Sequence, residues 1–290
     1  NVSETSPSRL DLVSIPLTVL GFGGLVFGLN SLGEGASSPL LWVSLVLGVI
    51  GMGLFVWRQL ALQRNGHPLL DLRVLTHQPF RVGLGIIMIG FAVLIGGVAI
   101  LWPIYLQRVR LLDSITTGML LLPGGLAMGL LGPWIGRLYD HYGAKVLAVP
   151  ASTVMVGLLF AMSRVQADTP IWLLLGLHLT LSLSLAFMFT PVFTGSLNSL
   201  PPSLYSHGSA TLNALQQVAG GAGTALLVAL MASTRLSAEL GGAAEGEAVL
   251  AGFRMALTVA AGIGVLAIAL TLLLRKGPPE SVDEPAPLAH

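Results

Sequence analysis

One histidine and one pair of amides are the side chains that could do chemistry within the apolar segments of this chain. His178 is the only ionisable residue deep inside such a segment. The ordinary histidine pKa of about 6.5 would suit a carrier of protons. The alternative, which we favour, is a neutral histidine that is hydrogen-bonded to a neighbouring helix. His178 is therefore a candidate protonatable site with a structural alternative.

The amide pair consists of Asn213 and Gln217, which stand four residues apart and so share one face of a helix. Amides in a lipid environment are costly unless they are paired, so this face should point into the protein or into a wet cavity. There the amides could line a path for small molecules. Hydrogen bonding between helices is an equally good interpretation, and Gln216 is predicted to lie on a different face.

Aromatic and sulfur side chains form a further set of candidates. Trp102, Tyr105 and Met188, together with other methionines and phenylalanines, could provide a deformable wall for varied hydrophobic ligands. The alternative is that these side chains belong to the core or to a lipid-facing belt. We take the three named residues as candidates for a substrate path.

The composition excludes most other classes of protein. Of the 290 residues, 54% are hydrophobic and 9% are charged, whereas a globular domain has about 25% charged residues. A net charge of +1 gives no field that would attract nucleic acid. Cysteine is absent, and we find no phosphate-binding, dinucleotide-binding or zinc-protease motif and no intramembrane carboxylate pair. We therefore expect no enzymatic activity, no cofactor and no metal site.

Eight apolar stretches are long enough to cross a bilayer, which needs about 20 residues each. They contain no Asp, Glu or Lys. They run approximately from Leu12 to Leu29, Leu40 to Trp57, Val82 to Tyr105, Thr116 to Ile135, Val146 to Met162, Ile171 to Phe193, Ala210 to Ala232 and Leu250 to Leu274. The sequence thus predicts an all-α polytopic membrane protein with eight transmembrane helices.

Lys and Arg predict the orientation of these helices. If both ends of the chain lie on one side of the membrane, that side holds nine Lys and Arg residues and the other side holds five. The richer side should be cytoplasmic. We therefore expect both termini of this chain in the cytoplasm and the bundle in the cell (inner or plasma) membrane.

The polar connections divide the chain into segments. A helix pair, residues 1–57, precedes a cytoplasmic linker, 58–81, and six helices follow in 82–275. The proline-rich tail 276–290 is expected to be disordered. Within the linker, Asp71 and Arg73 could belong to a short amphipathic piece on the inner membrane surface or to a solvated link.

The most specific local signal is the segment 136–145, GRLYDHYGAK. We expect a helix to end near Gly136, a tight turn at Gly143 and a new helix near Lys145. Asp140 could cap a helix N-terminus or pair with Arg137, interactions worth about 0.3–2 kcal/mol each. If only one arrangement of the bundle allows this, Asp140 acts as a latch; the alternative is an ordinary basic turn.

Glycines are concentrated in several of the predicted helices. Gly125, Gly129 and Gly132 lie in the fourth crossing beside Pro133, and further glycines lie in the seventh. Small residues let helices approach closely, and proline loosens the helix, so both suit helices that rock. Ordinary tight packing explains most of these glycines. Gly24 and Gly28 in the first crossing form a weak G-x-x-x-G signal.

The segment 136–145 resembles the G-x-L-x-D-R-x-G-x-K loop of the major facilitator superfamily. Four further stretches, in the same order and spacing, resemble the fourteen-helix drug:proton antiporter branch of that family. They are PLLDLR at 68–73, PIYLQ at 103–107, GMLLLPG at 118–124 and GSATLN at 208–213. The chain departs from the loop pattern at Tyr139 and His141.

The resemblance implies that this chain is the rear part of a longer transporter. Residues 1–57 would be the extra central helix pair, and 82–275 would be a C-terminal six-helix bundle of two inverted three-helix repeats. The expected function is proton-driven export of hydrophobic, amphipathic or cationic small molecules by alternating access against a missing N-terminal six-helix bundle. The loop residues Gly136, Arg137, Asp140, Gly143 and Lys145 would form a conformational gate. A non-transporting scaffold or a half-transporter subunit with a partner bundle is the alternative, and a lipid-modifying enzyme is disfavoured.

Overall fold

A computed structural model describes residues 11, 13–34, 39–63 and 69–274 of the chain. All regular structure in these residues is helical, and none of them lies in a strand. Runs of about 20 apolar residues satisfy their backbone hydrogen bonds internally only as helices when they lie in lipid. The prediction of an all-α fold is confirmed for the described residues.

We number the long helices α1 to α8 in chain order. Helix α1 joins Ser14–Thr18, a π-helical turn Val19–Gly23 and Gly24–Glu34. The others are α2 (Pro39–Gln63), α3 (Gln78–Val109), α4 and α5 (together Ser114–Met162), α6 (Ile171–Asn198), α7 (Tyr205–Leu240) and α8 (Glu245–Leu272). Short 3₁₀ turns lie before α3 (Leu72–Thr76) and before α7 (Pro202–Leu204).

Six helices in the described residues are long and apolar enough to cross a membrane, against eight predicted crossings. The difference has two causes. Ser114–Met162 contains two of the predicted crossings, and the first predicted crossing falls in the shorter apolar helix Ser14–Leu29. Each predicted crossing therefore coincides with helix, while the count of eight crossings and the inverted-repeat arrangement remain predictions.

Gly143 separates α4, residues 114–142, from α5, residues 144–162. Its φ of 78° and ψ of 170° are non-helical values that side-chain-bearing residues rarely adopt. The predicted turn at Gly143 is confirmed. The predicted helix end at Gly136 is wrong, because α4 continues through 136–142, which contains no proline and mostly residues that tolerate helix.

The bundle core is built mainly by α4 and α5 against α6, and by α7 against α8 and α3. At the far end of α3 three buried aromatic rings stack. The Tyr105 ring centroid lies 5.4 Å from that of Trp102 and 4.8 Å from that of Phe253. These rings hold the end of α3 against α8.

The helix pair α1 and α2 crosses through glycines. A β-carbon at Gly24 would lie 2.9 Å from the Cα of Gly48, and one at Gly51 would lie 2.8 Å from the backbone nitrogen of Gly21. The backbones are therefore in direct contact, as small residues in membrane helices allow. The G-x-x-x-G spacing of Gly24 and Gly28 lies on this contact face. Residues 24–34 also pack on α7.

The described part of the linker is packed against the bundle. Asp71 caps the turn Leu72–Thr76 by accepting a hydrogen bond from the N–H of Arg73, and Val74 is fully buried in the core. The Arg73 side chain is 70% exposed. The described turn thus has a buried and an exposed face, as an amphipathic piece would, and its place on the inner membrane surface remains a prediction. The predicted disordered tail, 276–290, lies outside the described residues.

Candidate functional site

The amide face of α7 is exposed. Asn213 donates from Nδ2 to the carbonyl oxygen of Ser209, one turn earlier, at 2.8 Å. Gln216 donates from Nε2 to Oδ1 of Asn213 at 3.0 Å, so it joins this face and does not lie apart from it as predicted. Asn213 and Gln217 are both exposed. Among the described residues neither amide is bonded to another helix.

The exposed face of α7 changes sides along the helix. Past the amides, the next three exposed residues are Ala222, Leu226 and Ala229. At about 100° per residue these lie roughly opposite Asn213 and Gln217. Around residue 223 the small residues Gly220, Gly221 and Gly223 are buried against the neighbouring helices.

Gly223 presses α7 against α3. A β-carbon at Gly96 would lie 2.7 Å from the carbonyl oxygen of Gly223, and one at Gly223 would overlap the backbone of Ala92. Beside this contact lies an apolar cavity of about 150 Å³ between α3, α7 and α8. It is lined by Ala92, Val93, Ala222, Gly223, Leu226, Leu227, Ala260 and Ile263. None of the predicted substrate-path residues lines it.

The aromatic and methionine candidates are buried. Trp102, Tyr105 and Met188 are each 0% exposed. Tyr105 donates from its hydroxyl to the carbonyl oxygen of Gln166 at 2.7 Å, which fixes the connection between α5 and α6. Met188 lies against Gly90 of α3. In this arrangement these side chains are core residues, and their place in a substrate path remains a prediction.

His178 lies between α6 and α4 and is 5% exposed. Its Nε2 is 3.2 Å from the carbonyl oxygen of Leu121; since a carbonyl oxygen can only accept, Nε2 is the donor in this bond. Nδ1 is buried and has no hydrogen-bond partner among the described residues. This geometry matches the neutral, helix-bonded alternative, while proton carriage by His178 stays a prediction.

The segment 136–145 divides between free and engaged side chains. Arg137 and Asp140 are exposed, and no ion pair joins them to each other or to any other described residue. Lys145 donates from Nζ to the carbonyl oxygen of Leu272 at the end of α8. A cation at a helix C-terminus is favourable. Lys145 therefore ties the segment to α8, while Asp140 remains available.

Asp140 continues an open stripe of small residues on α4. At each of its glycines a β-carbon would meet no heavy atom within 4 Å. Spacings of three, four and seven residues place them on one face of the helix. This glycine face consists of Gly118, Gly125, Gly129, Gly132 and Gly136. Asp140 stands one turn beyond Gly136, at the end of the same face.

A second polar cluster was not predicted. It joins Asp11, Arg58 and Gln59 of the helix pair to Asp71 of the linker and His207 of α7. The Arg58 guanidinium beside Asp11 holds the pKa of that carboxyl well below its usual range. Hydrogen bonds from the Arg73 side chain lower the pKa of Asp71. The sequence signal was the set of polar residues at the ends of the apolar stretches, but nothing in it paired position 71 with 207.

Comparison with known proteins relates the whole chain to transporters. No family model matches the chain. It is 41% identical over 234 residues to the lincomycin resistance protein LmrB of Listeria monocytogenes, covering 80% of this chain and 49% of that protein. It is 35% identical over 287 residues to YcnB of Bacillus subtilis, named an uncharacterized MFS-type transporter, covering 99% of this chain and 60% of YcnB.

A more distant relative bears a broader name. The multidrug resistance protein Stp of Mycobacterium tuberculosis is 27% identical over 228 residues, which cover 78% of this chain and 41% of Stp. The chain thus spans about half the length of the curated relatives it matches.

Proposed function

The chain belongs to the major facilitator superfamily, which makes it a multi-pass membrane protein of a transporter family and not an enzyme, and from this premise we propose its function. It is part of a proton-driven efflux transporter that exports hydrophobic, amphipathic or cationic drugs. Relatives named for resistance to lincomycin and to multiple drugs support this substrate class. Export proceeds by alternating access, with the bundle rocking against a partner bundle.

The observation that carries the proposal is the exposed amide face of α7. Asn213 and Gln217 lie within an apolar helix that could span the membrane, yet no neighbouring helix among the described residues covers them. Uncovered amides facing lipid would be costly. A wet path between two bundles removes that cost. Amides that both donate and accept hydrogen bonds also suit ligands of varied chemistry.

The glycine face of α4 supports a partner bundle. Its open glycines allow a second helix to approach closely. The chain spans about half of its relatives, so a further N-terminal six-helix bundle is the proposed occupant. Asp140 at the end of this face then meets the partner in one state of the cycle and leaves it in another. Arg137 and the turn at Gly143 complete this gate, and Lys145 keeps it fixed to α8.

Proton coupling and location complete the proposal. The proton-carrying acids are proposed to lie in the partner bundle, and His178 is proposed to remain neutral and bonded to α4. The side of the membrane that holds both ends of this chain carries nine Lys and Arg residues against five on the other side, which supports a cytoplasmic location for both ends. The proposed membrane is the plasma membrane.

Transport by reconstituted vesicles tests this function. The complete natural polypeptide that carries this chain should move lincomycin or a fluorescent cationic dye when a proton gradient is imposed. Asn213→Leu with Gln217→Leu should reduce that movement, whereas Ala229→Leu, on the opposite exposed face of α7, should not. Absence of gradient-dependent movement by the unaltered protein would favour the alternative of a non-transporting scaffold. Movement only after a second chain is added would identify a half-transporter subunit.

A further inference from the structure

A set of hydrogen bonds, one of them buried and the others partly buried, joins α2 to the start of α1. Arg58 donates from Nε and Nη2 to the two carboxylate oxygens of Asp11, at 2.7 Å each. Ser14 donates to Asp11 at 2.5 Å, and Gln59 donates from Nε2 to the Ser14 hydroxyl at 2.7 Å. Ser14 and Gln59 are both 0% exposed. Each of these donors thus has an acceptor on the neighbouring segment or one turn away along the backbone.

The same hydrogen bonds continue into the linker. Gln59 accepts the peptide N–H of Leu70 through Oε1 at 2.9 Å. Gln63 donates from Nε2 to Oδ1 of Asp71 at 3.0 Å. The Asp71 carboxylate is therefore shared between α2 and Arg73 of the linker itself. These contacts tie Leu70 and Asp71 of the linker to the end of α2.

His207 provides the contact with α7. The peptide N–H of Asp71 donates to Nδ1 of His207 at 3.2 Å. Nδ1 can accept only while it carries no proton, so the bond selects one form of the imidazole. Asp71 is 3% exposed, and its N–H would lose a partner in a nearly dry site if His207 were removed. One histidine on the first turns of α7 thus holds the linker.

We propose that His207 pins the linker, and through it the pair α1 and α2, to α7, so that the pair moves with α7 as one body. Residues 24–34 of α1 pack on α7 farther along, which gives the same two bodies a second contact. A flexible tether would not bury Val74 and Asp71. Joint movement of the helix pair with α7 would take place during the proposed transport cycle, so that part of the proposal rests on the proposed function. The contact between His207 and the linker does not depend on it.

Cysteine accessibility tests the pin in the full chain, which contains no cysteine of its own. A cysteine introduced as Val74→Cys reports on burial of the linker, and Thr76→Cys gives the rate for an exposed site on the same turn. At constant pH, Val74→Cys should react slowly with maleimide in the unaltered background. His207→Asn keeps an acceptor oxygen and should preserve this protection. His207→Leu should speed the reaction by about tenfold, the change expected from one lost buried hydrogen bond.

The matched control is His77→Leu, since the His77 side chain has no hydrogen bond to any described residue. It should leave the rate unchanged. Equal rates in His207→Leu and the unaltered chain would overturn the pin, and so would equal acceleration in the Asn and Leu variants. If His207→Leu does not fold, the distance between spin labels at Leu60 of α2 and Ala210 of α7 tests joint movement in the otherwise unaltered protein. Their distance should stay constant with and without lincomycin, and a shift would overturn joint movement. Neither readout requires transport, so failure of the transport assay is a separate result.

Discussion

The imidazole of His178 lies directly against Gly124, so that a β-carbon at that glycine would come within 2.6 Å of Nε2. It would also come within 2.5 Å of the Ser182 hydroxyl oxygen. Contact between α4 and α6 therefore depends on the absence of a side chain at position 124. The same ring makes the hydrogen bond to Leu121.

Gly124→Ala should lower the stability of the bundle by about 1–3 kcal/mol, because overpacking displaces the imidazole and breaks its bond to Leu121. Thermal unfolding in detergent measures the change. Gly157 of α5 also lies in regular helix, and nothing lies within 4 Å of its β-carbon, so Gly157→Ala should be neutral or stabilising by up to about 1 kcal/mol. Similar melting temperatures for the two variants would contradict the assigned contact.

Gly48→Ala should loosen the helix pair. A β-carbon there would lie 2.6 Å from the backbone nitrogen of Leu25 and 2.8 Å from the carbonyl carbon of Gly24. Backbone atoms cannot rotate away, so the helices must separate, at a cost of about 1–3 kcal/mol. The rate of disulfide formation between cysteines placed on α1 and α2 reports the separation. Gly53→Ala is the control, because nothing lies within 4 Å of its β-carbon.

Gly143→Ala should strain the junction of α4 and α5. Its φ of 78° and ψ of 170° are available at little cost only to glycine, and an alanine there should cost about 1–3 kcal/mol. We expect a lower melting temperature and an altered distance between spin labels on α4 and α5. Gly176→Ala, within regular helix α6 and with nothing within 4 Å of its β-carbon, should leave that distance unchanged and should not lower the melting temperature. An unaltered Gly143→Ala protein would show that the turn is not required.

Acid should release the linker through Asp71. Hydrogen bonds from Arg73 lower the pKa of this carboxyl in the folded protein. A lowered folded pKa means that the stabilisation is fully present above the ordinary aspartate pKa of about 3.9 and is lost as pH falls through the lowered value. In the His207→Asn background, where the linker contact does not depend on the protonation of an imidazole, a nitroxide at Thr76 should therefore stay immobile from neutral pH to about pH 5 and gain mobility only well below pH 4.

Replacing the partner of Asp71 provides the control for that titration. Arg73→Met removes the main cause of the lowered pKa, so the gain of mobility should move to higher pH. Asp71→Asn removes the carboxyl group, so the gain of nitroxide mobility caused by protonation of Asp71 should be absent. A midpoint that is the same with and without Arg73 would disprove the assignment.

The residues predicted to line a substrate path differ in burial, although all of them have chemistry that suits such a path. Trp102, Tyr105 and Met188 have the chemistry of a hydrophobic binding wall, yet they are 0% exposed. Asn213 and Gln217 have the exposed position that a path needs. Spacing along one helix defines a shared face, but only the neighbouring helices decide whether that face is covered. The sequence could name these residues and could not rank them.

Two features were decided by the sequence alone. Every apolar stretch is helical, because a bilayer leaves the backbone no other way to satisfy its hydrogen bonds. The helix breaks at Gly143, because glycine alone tolerates that backbone conformation. The tertiary structure decided the rest. It brought Asp71 to His207 across 136 positions of sequence, placed Lys145 on the end of α8 and left the glycine face that Asp140 continues uncovered by the described helices. Local propensity acts over a few residues, whereas these contacts depend on how whole helices pack.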